Sequence, residues 1–349
     1  MARFRIALSG DFRKPDGTPA YPMFDTTPLT SDPQIDTVYV DAVDGAIPAQ
    51  GLAGCDALIL LLPKFTAASI PADGRLAVVA RFGVGFDNVD VPACTAGDIA
   101  LVTTPDGVRR PVAVAILTFV LALSQRMLIK DRLARRGPEG WAERSGHMGT
   151  GLIGRTLGSL GIGNIGAEVY RLAVPFGMDF IAHDPYADPA VAAELGIRLV
   201  SLEELFRLSD FLSVSCPLND QTRGIVNAQR LALMKPTAFL INTARGPVVD
   251  QAALTDALRR RAIAGAGLDV FEVEPTPAGE ALMALDTVIV SPHALSWTDQ
   301  GFAGIGAADV AAVLAVMRGE VPRGIVNRAV VDRPGWQAKL DGYRRRPGG

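Results

Sequence analysis

From Thr156 onward the sequence becomes a repeat of short, mainly apolar segments separated by helical ones, and this alternation restricts the fold more than any other feature. The apolar segments are Thr156–Leu160, Asp179–Ala182, Phe211–Ser215, Phe239–Asn242, Ala266–Val270 and Val288–Val290. Runs this short, without strict polar alternation, are strands buried on both faces. Between them, Ser201 with Glu204 forms a capping box that starts one helix. Asp250 starts another, which carries Ala253, Leu254, Ala257 and Leu258 on one face. Buried strands alternating with helices predict a parallel, doubly wound α/β sheet.

A chain of 349 residues exceeds what one core usually holds, so a second domain is expected. Strands are predicted at 4–8, 37–40, 57–62, 76–80 and 101–103, with a Pro- and Asp-rich stretch, Asp11 to Pro33, after the first. Thr104-Pro105-Asp106-Gly107 is a strong turn signal, followed by a long apolar helix from about Pro111 to Met127 and a polar stretch through Gly149. The last predicted helix runs from about Asp299 to Arg318, with Gly319 placed to cap it. Beyond it, Arg344, Arg345 and Arg346 in a Gly/Pro-flanked terminus suggest a loose tail.

Hydrophobic residues make up 49% of the chain and charged ones 20%, which fits a large core and excludes disorder. A net charge of −3 offers no basic field for nucleic acid. Cys55, Cys94 and Cys216 show no paired spacing, which argues against a metal or disulfide framework and for a reducing compartment. The N-terminus lacks the apolar core of a signal peptide, and the run Val112 to Leu123 is too short to span a bilayer. A cytoplasmic protein with no membrane, nucleic-acid or metal partner is expected.

Leu160-Gly161-Ile162-Gly163-Asn164-Ile165-Gly166 contains GxGxxG directly after a predicted strand and at the start of a helix. Gly161 permits the tight turn, Gly163 lets backbone approach a pyrophosphate, and Gly166 lets helix pack on strand. With 36 glycines in the chain the bare pattern is weak, and Gly149 to Gly154 matches it a second time. That second match follows polar loop sequence and precedes a strand, so its context excludes it. The first match is followed 18 residues after Gly166 by Asp184, where a carboxylate would accept bonds from adenosine ribose hydroxyls. An acid there repels a 2′-phosphate, which favours NAD as cofactor.

Ligands of a doubly wound sheet bind beyond the carboxyl ends of its strands. There the sequence offers Ser215-Cys216-Pro217, Asn242-Thr243-Ala244-Arg245-Gly246, Asp269 and Ser291-Pro292-His293. Together with Arg81-Phe82-Gly83-Val84-Gly85-Phe86-Asp87-Asn88-Val89-Asp90 and Gly267 to Pro275, these motifs resemble those of the D-isomer-specific 2-hydroxyacid dehydrogenases. The resemblance spans about residues 55–330. It implies a Rossmann NAD-binding domain over 110–298, inserted into a smaller flavodoxin-like α/β substrate domain. That domain would comprise 1–109 and a returning helix in 299–333, with 334–349 as the tail.

The resemblance also implies roles. His293 would exchange a proton with the substrate oxygen, Glu274 would fix its tautomer and favour its protonated form, and Arg245 would grip the substrate carboxylate. Val84 and Gly85 would offer backbone N–H groups to the same carboxylate. Thr243, Ala244 and Asp269 would contact cofactor, and Asn164, Ile165, Cys216, Pro217 and Thr222 would line the rest of the NAD path. The substrate would be a small 2-hydroxy or 2-oxo acid and the enzyme a homodimer. Two other readings stay open: an NAD(H)-sensing protein of the corepressor kind, and a formate- or phosphite-oxidising relative, where Glu274 argues against formate. The chain departs from the family's pattern in three places. Val114 stands where many relatives carry a glutamate, Arg109 and Arg110 crowd the turn before Pro111, and Asp11 to Pro33 has no clear counterpart. The two arginines either bridge surface carboxylates across the domain junction or meet a second anionic or polyhydroxylated end of the substrate.

Overall fold

The computed structural model describes residues 3–345. The chain divides into two compact units, the first formed by residues up to Val108 with those from Thr298 on, the second by Arg109–Trp297.

The first unit is built on a five-stranded sheet of β1 (Phe4–Ser9), β2 (Ile35–Val40), β3 (Ala57–Leu60), β4 (Val78–Arg81) and β5 (Ala100–Thr103), ordered β2-β1-β3-β4-β5. Every pairing is parallel. This is the strand order of flavodoxin-like folds. Successive residues of β1 serve opposite faces: Phe4, Ile6 and Leu8 enter one core, and Ala7 enters the other.

The second unit carries seven parallel strands, β6 (Thr156–Leu160), β7 (Asp179–His183), β8 (Ile197–Leu199), β9 (Phe211–Val214), β10 (Phe239–Asn242), β11 (Gly265–Leu268) and β12 (Val288–Val290). Their order, β12-β11-β10-β9-β6-β7-β8, is the Rossmann arrangement extended by one strand, with the switch point between β6 and β9. Leu240 of β10 packs on one face, and Phe239 and Ile241 on the other. The doubly wound parallel sheet expected from the apolar runs after Thr156 is therefore present, with β8, only Ile-Arg-Leu long, added to the set.

Three elements differ from the sequence expectation. The long helix begins at Pro105 and ends at Ser124, so the Thr-Pro-Asp-Gly signal is its first turn. Pro105 suits that position because the first helical N–H has no partner to lose. Pro111 lies inside the helix, where its ring faces the carbonyl of Gly107. By length and composition this helix and Asp299–Met317 could each cross a membrane. Ile116, Phe119 and Val120 are instead buried, and a side chain at Gly267 of β11 would collide with Phe119. Second, the stretch before Gly149 contains the helices Met127–Arg135 and Pro138–Glu143.

The third difference is the C-terminal segment, which is no loose tail as far as Arg345. Pro334–Arg344 is a helix with Trp336, Leu340 and Tyr343 buried. Trp336 Nε1 donates to Ala77 O at 3.0 Å, and Tyr343 Oη donates to Asp56 Oδ1 at 3.0 Å. Lys339 Nζ donates to the carbonyls of Leu76, Gly97 and Asp98 at 2.7, 3.2 and 2.8 Å. The stripe of Trp336, Leu340 and Tyr343 at helical spacing outweighs the flanking charges. Residues 346–349 lie outside the described residues.

The Asp11–Pro33 stretch is ordered around aromatic rings. Phe12 meets Phe24 at 5.0 Å and Phe82 at 5.1 Å, Phe24 meets Phe82 at 5.1 Å, and Tyr21 stacks on Phe302 at 4.7 Å. Each such pair contributes about 0.5–1.5 kcal/mol beyond the area it buries. Gly306 of the helix Asp299–Met317 makes room for this packing, since a Cβ there would lie 2.4 Å from Phe24 Cδ2.

Candidate active site

The turn after β6 gives its three glycines distinct surroundings. Gly161 has φ +96°, a left-handed value, and a Cβ on it would lie 3.1 Å from the backbone of Ser215 and Cys216. A Cβ on Gly166 would lie 2.5 Å from Gly161 O, so the helix Asn164–Ala173 can approach the strand only without one. Gly163, at the N-cap of that helix, faces open space. The helix N-terminus thus presents unobstructed amide groups, including those of Asn164 and Ile165, which fits an anionic phosphate. Ser159 Oγ supports the turn from below by donating to Gly161 O at 2.6 Å.

Asp184 follows β7 and is tied to the same turn. Its Oδ2 accepts from Ile162 N at 2.9 Å and its Oδ1 from Tyr186 N at 2.9 Å. A carboxylate has about four acceptor positions, so capacity for ribose hydroxyls remains. Beyond β9, burial pushes the Cys216 thiol up to about 11, which makes it an inert wall. Thr222 Oγ1 donates to Pro217 O at 2.6 Å and accepts from Asn219 N at 2.8 Å. Its hydroxyl shapes the 217–222 loop.

The loop after β10 is folded by Asn242, whose role the sequence did not suggest. Its Oδ1 accepts from Ala244 N and its Nδ2 donates to Arg245 O, both at 3.0 Å, which fixes Thr243, Ala244 and Arg245. Arg245 Nη1 donates to Ala244 O at 2.7 Å. Gly246 is packed so closely on Phe271 O that any side chain there would displace one of the two segments.

That contact seats the β10 loop beside the segment carrying Glu274. Glu274 Oε1 accepts from Phe271 N at 2.9 Å, and Oε2 lies 2.8 Å from His293 Nδ1. Burial opposes charge on Glu274. The His293 hydrogen bond, the Phe271 N–H and the nearby His293 and Arg245 charges outweigh it and hold the carboxyl below its usual range. His293 has φ +54°, a left-handed conformation that is costly for a residue with a Cβ and that concentrates at functional sites. With Nδ1 committed to Glu274, Nε2 is the ring nitrogen left to exchange a proton with a ligand.

Asp269, at the end of β11, is buried, and burial raises its pKa against the hydrogen bonds of the following loop. Its Oδ1 accepts from Ala294 N at 2.9 Å and Leu295 N at 3.1 Å. The acid therefore anchors the backbone immediately after His293.

In the first unit, Val84 and Gly85 lie in the loop after β4. Gly83 has φ +118°, and Thr104 holds its peptide: Thr104 Oγ1 accepts from Gly83 N at 3.1 Å, and Thr104 N donates to Gly83 O at 2.9 Å. Asn88 Nδ2 donates to Leu61 O and Pro63 O at 3.2 and 2.9 Å, joining this loop to the one after β3.

Arg109 and Arg110 face a carboxylate of their own unit. Arg110 Nη1 lies 2.6 Å from Glu168 Oε1, Arg109 Nε lies 3.9 Å from Oε2, and Arg171 Nη1 lies 3.5 Å from Oε2. The Arg110 hydrogen bond, working against burial, holds Glu168 below its usual range. The arginines do bridge a carboxylate, but it is the buried Glu168 of their own unit and not a surface carboxylate across the domain junction.

Residues 117–294 match the profile of the D-isomer specific 2-hydroxyacid dehydrogenase NAD binding domain. A glyoxylate reductase of Korarchaeum cryptofilum is 39% identical over 287 residues, covering 81% of this chain and 86% of that protein. A D-3-phosphoglycerate dehydrogenase of Methanocaldococcus jannaschii is 38% identical over 265 residues, covering 76% of this chain and 50% of that one. The crystal structure of D-mandelate dehydrogenase from Rhodotorula graminis superposes with a TM-score of 0.80 at 27% identity, covering 93% of this chain and 98% of the other. The chain belongs to the D-isomer specific 2-hydroxyacid dehydrogenase family and is an NAD-dependent oxidoreductase.

Proposed function

We propose that this enzyme interconverts a 2-oxo acid and its D-2-hydroxy acid, with His293 as acid and base, Glu274 as its partner and Arg245 as the carboxylate-binding cation. The observation that carries the reading is the 2.8 Å bond from His293 Nδ1 to an ionised Glu274. Reducing a carbonyl needs a proton delivered to its oxygen, and a carboxylate bonded to Nδ1 fixes the ring so that Nε2 is the nitrogen that delivers it. The fixed guanidinium of Arg245 suits a planar carboxylate in two-point contact. Val84 and Gly85 supply backbone N–H groups to that carboxylate. When bound, NAD(H) supplies or takes up the hydride. Gly161, Gly163, Asn164, Ile165 and Gly166 hold its pyrophosphate and Asp184 its adenosine ribose, while Cys216, Pro217, Thr222, Thr243 and Ala244 line its path. Asp269 acts at the nicotinamide end through the loop it anchors.

The relatives named as glyoxylate reductases favour reduction as the working direction. Mixing the protein with NADH and a panel of 2-oxo acids, glyoxylate included, should deplete NADH. Binding of NADH without turnover of any member would favour a sensor instead. We also read the enzyme as a cytoplasmic homodimer. Three free cysteines fit a reducing compartment, and Val114, Leu121, Met127, Leu128, Trp141 and Met148 leave apolar surface exposed on the second unit. Light scattering on the same sample should give twice the chain mass, and a monomeric mass would overturn this.

A further inference from the structure

The Asp11–Pro33 insertion leaves the carboxyl end of β1, the sheet edge where ligands of such folds bind. It is clipped there at its start, because Asp11 Oδ2 accepts from Leu62 N at 2.9 Å, just past β3. Its rings close on Phe82, which immediately precedes the Gly83-Val84-Gly85 loop. Phe302 completes the cluster, 5.5 Å from Phe82 and stacked on Tyr21. Phe12 and Phe24 are buried, whereas Tyr21 is half-buried and Met23 is 48% exposed. The insertion therefore has an inner layer that fixes it on the loop and an outer apolar layer with surface to spare.

We propose that this outer layer, Tyr21 with Met23, is the wall that receives the side chain of the 2-oxo acid and selects apolar or aromatic side chains over charged ones. The assignment rests on the role given above to Val84 and Gly85. A carboxylate held by those amides leaves its side chain to meet what adjoins the loop, and the insertion's rings pack on Phe82 at the loop's start. The insertion's charges, Arg13 and Lys14 against Asp11, Asp16, Asp25 and Asp32, are acidic in balance. Arg13 is paired with a carboxylate, 2.8 Å from Asp41, and lies 5.0 Å over the Tyr39 ring. The Asp11 carboxylate beside Tyr21 repels a second anionic group. Burial, reinforced by Asp11, also keeps the Tyr21 phenol neutral.

The test compares kcat/KM with NADH for phenylglyoxylate, 4-methyl-2-oxopentanoate, glyoxylate and oxaloacetate. Both apolar substrates should exceed oxaloacetate. Tyr21→Ala and Met23→Ala should each lower the phenylglyoxylate-to-glyoxylate ratio about tenfold, the size expected when an apolar subsite loses its wall. Tyr21→Phe should keep the ratio. Met23 is exposed, so its truncation leaves folding intact, and NADH binding monitors both variants. Ratios unmoved in both alanine variants, or oxaloacetate as the best substrate, would overturn the selector while leaving the dehydrogenase reading in place. Failure of the unmodified enzyme on every 2-oxo acid would overturn both.

Discussion

In the seven-stranded unit, the edge where the strands end is finished with backbone amides and small polar groups. These include the open N-terminus at Gly163, the Asn242 loop, and Asp269 and Glu274 holding the two sides of His293. In the five-stranded unit, the corresponding edge is covered by rings that an insertion brings onto Phe82. Both sheets are parallel and doubly wound, so the difference lies in what each edge presents. On the proposed roles, the polar edge fixes charge and protons, where small displacements are costly, and the aromatic edge shapes a surface, where discrimination is gradual. Changes in the second unit should therefore cost orders of magnitude in turnover, and changes at the insertion about tenfold in selectivity.

The largest expected effect is that of His293→Asn. Loss of general acid–base catalysis typically costs about 10²–10⁴ in rate, and kcat should fall in that range while NADH binding persists. A kcat reduced less than tenfold would remove the histidine from its role and break the contrast between the two edges. Glu274→Gln should act more mildly. The carboxyl sits below its usual range and is charged at neutral pH, so the glutamine keeps a partner for Nδ1 while removing its charge. Its kcat should fall by less than in His293→Asn, and NADH binding should persist. An unchanged kcat would leave Glu274 as a structural bond only.

The same contrast explains what the sequence could disclose. The Gly161–Gly166 turn and the strand-end motifs are local: a strand, a turn and a helix follow one another, and the residue types carry their own chemistry. The pairing of His293 with Glu274 spans only nineteen positions and lies within one run of motifs. The aromatic cluster joins Phe12, Phe82 and Phe302, which are far apart in sequence and match no period. It could not be read without the fold. Asn242 and Asn88 escaped because a side chain that hydrogen-bonds backbone resembles any other loop asparagine. The C-terminal helix was readable in the spacing of Trp336, Leu340 and Tyr343, yet three neighbouring arginines and flanking glycines argued the other way.

The smallest expected effect concerns a residue behind the aromatic edge. Asp309, on the helix Asp299–Met317, is fully buried, and neither carboxylate oxygen has a hydrogen-bond partner. Burial pushes its pKa well above the usual carboxylate value, and the charge of Arg81 offsets only part of this. Below about pH 4 both the folded and unfolded chains hold the proton, and the site costs nothing by ionisation. As pH rises, the unfolded chain releases its proton while the folded chain keeps it, so stability falls until the raised folded pKa is passed. Asp309→Asn cannot ionise and escapes that loss. Its Tm relative to the unmodified protein should climb from about pH 4 toward neutrality, at about 2–4 °C per kcal/mol for units of this size. A difference that stayed constant across that window would mean that Asp309 has the same pKa folded and unfolded. In that case the first unit would hide its acid at no cost, and the insertion would not stand on a destabilised base.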